Sequence, residues 1–163
     1  FRVRPALPAD VKGMRDLVQP YADRRILLAK ELVTYYEAIQ EFVVAENDTE
    51  LLGCGALHVM WRDLAEVRTL AVRPAWLHHG VGHALVDELL RRARLLSITR
   101  VFCLTFETDF FAAHGFEPIE GVPVDAATYA EMLRSHDDGV AEFLDLARVK
   151  PNTLGNTRML RKL

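Results

Sequence analysis

Residues 66–106 carry the pattern that most restricts how this chain folds. Glu66–Val72 reads as a strand, Gly80-Val81-Gly82 opens a helix, and Val101–Phe106 reads as a second strand. The helix places Val81, Ala84, Leu85 and Leu89 on one apolar stripe, with Asp87, Glu88, Arg91 and Arg92 elsewhere around it. Such a unit usually joins parallel strands through a right-handed crossover. A helix start also presents unpaired N–H groups and the positive end of the peptide dipole. Glycines there let a ligand approach the backbone itself, so a phosphate-bearing ligand is the first expectation.

The flanking sequence supplies further elements. Phe1–Arg4 alternates as a short strand, and Pro8-Ala9-Asp10 opens an amphipathic helix through about Val18. A second helix is expected over Glu31–Ile39, then strands at Phe42–Glu46 and Leu51–Trp61 joined by a turn at Asn47-Asp48-Thr49. Gly53 and Gly55 inside the second of these strands predict a bulge or close backbone packing. Beyond Phe106, a short helix over Thr108–His114 ends at Gly115, a good left-handed cap. The tail predicts a helix near Ala126–Arg134 and two strands, Glu142–Val149 and Thr157–Leu160, with Gly155-Asn156 turning between them.

With 163 residues, 50% hydrophobic and 26% charged, the chain reads as one globular domain spanning 1–163. A net charge of −3 and the lack of a basic block argue against a nucleic-acid partner; Arg91-Arg92-Ala93-Arg94 reads as a solvated helix face. Cys54 and Cys103 sit in apolar strand-like runs, where they behave as small hydrophobes, and two cysteines point to a reducing, cytoplasmic setting. No apolar run is long enough to span a bilayer and no signal peptide is visible, so no membrane partner is expected. The chain starts at Phe1 rather than Met, as a chain trimmed of a leading segment would.

Three phosphate loops compete for the elbow. A Walker-type loop needs Lys and Ser or Thr after its last glycine, where His83-Ala84 stand. The dinucleotide fingerprint needs a third small residue where Leu85 stands, and an acidic residue roughly 20 positions later, near Phe102 and Cys103. Leu70-Ala71-Val72, Arg73-Pro74 and Gly80-Val81-Gly82 instead resemble the acetyl-CoA loop of the GNAT acetyltransferases, with Leu77 where the family has Arg or Gln. Phe111-Ala112-Ala113-His114-Gly115-Phe116 resembles a second motif of that family. Glu66–Val72, Phe102–Thr105, Phe110-Phe111, the run Leu28-Ala29-Lys30, the stretch Tyr35–Glu46 and the tail Asn156–Leu160 are similar to the acetyltransferase domain of N-acetylglutamate synthases, in their short, stand-alone form.

The resemblance implies an α/β fold: a mixed, largely antiparallel sheet flanked by helices, with a parallel central pair splayed around acetyl-CoA. It implies acetyl transfer to the α-amine of L-glutamate, in arginine biosynthesis, with another acceptor such as L-glutamine as the alternative and a non-catalytic acyl-CoA sensor as the rival from a different class. The amine must lose a proton. Glu66 is the expected base and Glu107 its runner-up. A backbone N–H around Leu70 or Ala71 is expected to polarise the thioester carbonyl. The resemblance puts coenzyme contacts at Leu70, Ala71, Val72, Gly80, Val81, Gly82 and Phe111, with His78, His79 and His83 as extra phosphate donors. Phe111 stands where many relatives have a Tyr, so no general acid is assigned. The resemblance places Lys30 and Arg158 in substrate-binding segments, where cations would bind the substrate carboxylates, with Arg68, Thr105, Glu107 and Asn156 as further candidates. His79 and His83 have ligand spacing, but no Glu follows His79, and no metal is expected. Oligomeric state stays open, with a homodimer one option.

Overall fold

The computed structural model describes residues 1–163, the side chain of Asn152 excepted. The chain forms two compact units, Phe1–His58 with Val67–Leu96, and Val59–Glu66 with Ser97–Leu163. Two strands, Leu51–Trp61 and Leu64–Val72, contribute residues to both.

In the first unit, β1 (Arg2–Pro5) pairs antiparallel with β2 (Phe42–Glu46). A short turn helix at Pro8–Asp10 leads into α1 (Val11–Asp23), which runs further than the sequence predicts. Pro20 is exposed, so the hydrogen bond it removes lies on the solvent face and the helix continues past it. Helix α2 (Leu32–Glu37) is shorter than predicted, because the chain tightens into a 3-10 turn at Ile39–Glu41 before entering β2.

Strand β2 pairs antiparallel with β3 (Leu51–Trp61) around a turn held by Asn47. The Asn47 Oδ1 accepts from the Thr49 and Glu50 N–H groups, both at 2.9 Å. The glycines of β3 prove to be packing positions. A Cβ on Gly53 would meet the Ala71 carbonyl oxygen and Leu85 at 2.9 Å, and one on Gly55 would meet Leu70 at 3.0 Å and Leu89 at 3.1 Å. Strand β4 (Leu64–Val72) starts two residues earlier than expected and leads through the elbow to α3 (Val81–Leu95). The helix buries Val81, Leu85, Val86, Leu89, Leu90 and Ala93. Cys54 and Ala56 join Met14, Val18, Tyr35, Phe42 and Ala71 in a separate apolar cluster.

In the second unit, Leu64–Glu66 of β4 run parallel to Arg100–Phe102 of β5 (Arg100–Thr105). The parallel pairing expected from residues 66–106 is therefore present. After β5 come α4 (Thr108–Ala112), closed by Gly115 at φ +82°, and β6 (Glu117–Pro118), a two-residue strand with no sequence signal. Next are α5 (Ala126–Met132), α6 (Asp138–Phe143), α7 (Lys150–Thr153) and β7 (Thr157–Lys162). Strand β7 pairs antiparallel with β5 and with β6. The strand expected at Glu142–Val149 is absent: those residues are the end of α6 and a 3-10 turn at Ala147–Val149. Asp137 decides this, because its Oδ2 accepts from the Val140 N–H at 3.0 Å and starts a helix. Val140, Phe143 and Leu144 then face the core with Leu64, Phe102, Met132 and Leu160, and Phe102 meets Phe143 edge-on at 5.3 Å.

The fold is thus α/β with a mixed, mostly antiparallel set of seven strands among the described residues, one pair of them parallel.

Candidate active site

The elbow lies in the first unit. After Val72 the Arg73 N–H bonds to the Leu52 carbonyl at 2.7 Å and its Nε to the Leu51 carbonyl at 2.9 Å, which fixes where the strand ends. Residues 74–76 make one 3-10 turn, and His78 (φ +65°) and Gly80 (φ +83°) reverse the chain. The first i→i−4 bond of α3 runs from the Ala84 N–H to the Gly80 carbonyl at 3.0 Å, so the N–H groups of Val81, Gly82 and His83 precede the helical ladder. Among the described residues no side chain caps this end. A Cβ at Gly80 would meet nothing within 4 Å, and His78, His79, Gly80 and His83 are all exposed. The result is an open, electropositive main-chain cradle of the kind a pyrophosphate fits. Of the three histidines, His79 is tied to the elbow itself: its Nδ1 lies 2.8 Å from the Leu77 carbonyl oxygen and its ring 5.5 Å from Trp76.

Strand β4 holds an irregularity that the sequence did not signal. Thr69, buried, has φ +55°. A β-branched residue in this region is a genuine outlier, and nothing in the sequence marks it because glycine and asparagine are the usual left-handed residues. The kink interrupts the regular alternation of main-chain donors just before Leu70 and Ala71. The Thr69 carbonyl accepts from the Cys54 thiol at 3.6 Å. Burial pushes that thiol up to about 12, opposed by the Ala71 N–H and by the charge of Lys30. Lys30 is half-buried. Arg68 is half-buried on β4.

The second unit holds the remaining candidates. Glu66 is buried, 4% exposed, opposite Phe102 in the parallel ladder. With burial, its carboxylate pushes the Cys103 thiol well above the usual range. The Thr105 hydroxyl accepts from the Glu107 N–H at 2.8 Å, and Glu107 itself is exposed at the start of α4. Thr105 faces Thr157 across the β5–β7 ladder and Leu104 faces Arg158, so the side chains of Thr105 and Arg158 lie on opposite faces of the strand pair, and the structure does not bring these two candidates together. Arg158 is half-buried and gives its Nε to the Glu142 carbonyl at 3.1 Å and an Nη to the Phe143 carbonyl. Burial lowers its pKa, and the charge of Asp145 opposes that. It thus serves the C-terminus of α6 as well as any ligand. The Asn156 N–H bonds to the Thr153 carbonyl at 3.0 Å. Phe111 is buried edge-on against Phe110 at 5.1 Å and Phe116 at 5.2 Å, an aromatic cluster with no proton to give. No group of three His, Cys, Asp or Glu among the described residues is placed to hold a metal, and no helix among them is long and apolar enough to cross a membrane.

The comparisons with known proteins agree with this geometry. Residues 12–116 match the acetyltransferase (GNAT) family. The chain belongs to the GNAT acetyltransferases. It is 60% identical over 161 residues to an amino-acid acetyltransferase of Mycobacterium tuberculosis, covering 97% of this chain and 92% of that GNAT relative. An amino-acid acetyltransferase of Pseudomonas fluorescens is 33% identical over 82% of this chain, which spans 32% of that longer protein. Among solved structures, Rv2747 from Mycobacterium tuberculosis, in complex with CoA and a second ligand, superimposes with a TM-score of 0.96 at 59% identity, covering 100% of this chain and 99% of that one. N-acetylglutamate synthase from Neisseria gonorrhoeae, with coenzyme A and N-acetyl-glutamate, gives 0.79 at 25% identity, covering 99% of this chain and 35% of that one. The GNAT fold expected from the two motifs is the fold present.

Proposed function

We propose that this GNAT enzyme transfers acetyl from acetyl-CoA to the α-amine of a free amino acid, L-glutamate, in the cytoplasm, as the N-acetylglutamate synthase step of arginine biosynthesis. The observation that carries this reading is the near full-length likeness, 60% identical, to an amino-acid acetyltransferase, over a chain whose elbow is an open main-chain cradle. The N–H groups of Val81, Gly82 and His83 hold the pyrophosphate of the donor. Leu70, Ala71 and Val72 line the strand along which the acyl arm binds. Glu66 takes the proton from the substrate ammonium, directly or through one water, so that the neutral amine attacks the thioester carbon. The Leu70 N–H stabilises the developing oxyanion. When the C–S bond breaks, coenzyme A leaves as thiolate and solvent protonates it, since Phe111 has no proton to donate. Lys30 and Arg158 bind carboxylates; a guanidinium has five N–H donors, so the two carbonyls that Arg158 already serves do not exhaust it.

An amino-acid panel assayed for CoA release, with the product identified by mass, tests the reading. L-glutamate is expected to give the highest kcat/KM, with N-acetyl-glutamate as product. If a cation reads the side-chain carboxylate, glutamine loses a charge-assisted hydrogen bond worth about 1.5–3 kcal/mol, roughly ten- to a hundredfold in kcat/KM. Lys30→Met or Arg158→Met then shrinks the glutamate-over-glutamine ratio. A cation holding the α-carboxylate lowers both substrates alike. Preference for glutamine would reassign the acceptor, and coenzyme binding without turnover on any amine would make the chain a sensor.

A further inference from the structure

We infer that Cys54 is a positioning residue for acetyl transfer, holding the Thr69 kink so that the Leu70 N–H keeps its direction. The inference rests on the proposed role of that N–H as the donor to the thioester carbonyl. Thr69 is β-branched, buried and left-handed in the middle of a strand, a conformation that persists only where neighbours over-determine it. The Cys54 thiol is fully buried and donates to the Thr69 carbonyl at 3.6 Å. The Ala71 N–H acts on the same sulfur, where it favours the thiolate and opposes the burial that raises the thiol. One side chain on β3 therefore engages the carbonyl before Leu70 and the amide after it. Turning the peptide plane between Thr69 and Leu70 would turn the Leu70 N–H together with the Thr69 carbonyl, because the peptide unit is rigid.

The rest of the unit explains why a small thiol stands here. Gly53 and Gly55, on either side of Cys54, admit Leu85 and Leu89 of α3 and the Leu70 side chain. Cys54 lies instead with Met14, Val18, Tyr35, Phe42 and Ala71. In that cluster packing alone would be served by a small apolar side chain such as valine or alanine. What valine lacks is the donor.

The test compares side chains of similar size that differ as donors. Cys54→Val loses the S–H and adds one methyl group, Cys54→Ala loses the S–H and leaves a small gap, and Cys54→Ser keeps a donor to the Thr69 carbonyl. Positioning predicts that Cys54→Val lowers kcat about three- to tenfold with the KM for acetyl-CoA within about twofold, and that Cys54→Ser recovers most of the rate. A packing role alone predicts the reverse order, with valine near wild type and serine worse. Cys54→Ala, which also lacks the donor, carries the same expectation as valine, so a variant that fails to fold leaves the comparison intact. Wild-type kcat in Cys54→Val or Cys54→Ala overturns the inference. The underlying reading is checked separately by replacing Leu70 with its α-hydroxy analogue, which removes that N–H and also weakens the Thr69 carbonyl as an acceptor. Full kcat there sinks the role of the Leu70 donor; a slow ester variant beside a fast Cys54→Val sinks the positioning role only.

Discussion

The Tyr21 hydroxyl donates to the Val72 carbonyl at 2.6 Å. The bond ties the last turns of α1 to the residue where β4 ends, immediately before the elbow. Tyr21→Phe removes the bond and keeps the ring. A net loss of about 0.5–1.5 kcal/mol of stability is expected, together with a two- to fivefold rise in the KM for acetyl-CoA, as an order-of-magnitude figure. Urea unfolding and initial rates measure both. A lower stability with an unchanged KM would show that the elbow keeps its place without Tyr21.

The elbow glycines give different outcomes. Gly82→Val puts a branched side chain on the surface of the cradle and should raise the acetyl-CoA KM far more than the amino-acid KM. Gly80→Ala meets no neighbour, but at φ +83° it should cost about 1 kcal/mol of backbone strain. An unchanged coenzyme KM in folded Gly82→Val would place the phosphates elsewhere.

Glu66→Gln keeps the shape of a buried side chain and removes its basicity. kcat should fall and the acidic limb of its pH profile should disappear, while Phe111→Tyr should stay within about tenfold of wild type, the equivalent of roughly 1.4 kcal/mol. Retention of the acidic limb in Glu66→Gln would move the base to Glu107 or to solvent.

Acid stability should reside in the ion-pair cluster around Arg4. Its guanidinium holds Asp10 at 2.8 and 3.0 Å and Glu46 at 2.8 and 2.9 Å, and Arg2 adds a second cation to Glu46. The hydrogen bonds from Arg4 and Arg2 bring Glu46 down to about 2 from an ordinary 4.5. A carboxylate lowered in the folded state stabilises above its unfolded pKa, and that contribution is lost as pH falls from 4.5 through about 2. Arg4→Met should therefore move the acid-unfolding midpoint to higher pH. The displacement should shrink at high salt, because the cluster is partly exposed. An unmoved midpoint would mean that other carboxylates control acid unfolding.

What could be read in the sequence follows the strength of the local signals. Strands β2 and β3 match their predicted bounds because apolar runs are cut by an Asn47 turn whose side chain makes the bonds expected of it. The elbow was legible because the glycines follow an apolar strand ending in Leu70-Ala71-Val72 and open an apolar helix. The tail was not: Glu142–Val149 looks extended until Asp137 is seen capping a helix, and a single capping residue is a weak signal among the neighbouring acids. Thr69 was invisible for a different reason. Its left-handed backbone is imposed by surrounding structure against the preference of its own side chain, so no reading of local propensity finds it. Arg158 was expected at the site from the family resemblance of the tail, and its carbonyl partners come from a helix where a strand was expected.

Main-chain donors have no codon of their own. At the start of α3, a mutation reaches the N–H groups of Val81, Gly82 and His83 by altering the backbone or by covering it. His78, at φ +65°, and His79, bonded to the Leu77 carbonyl, bear on the backbone, so replacements there act through shape. Leu77 stands exposed in an elbow whose glycine turns at φ +83°. What binds at this elbow is therefore set by the shape of the chain, and Gly80, open on the side a Cβ would occupy, is where that shape is most exposed to change.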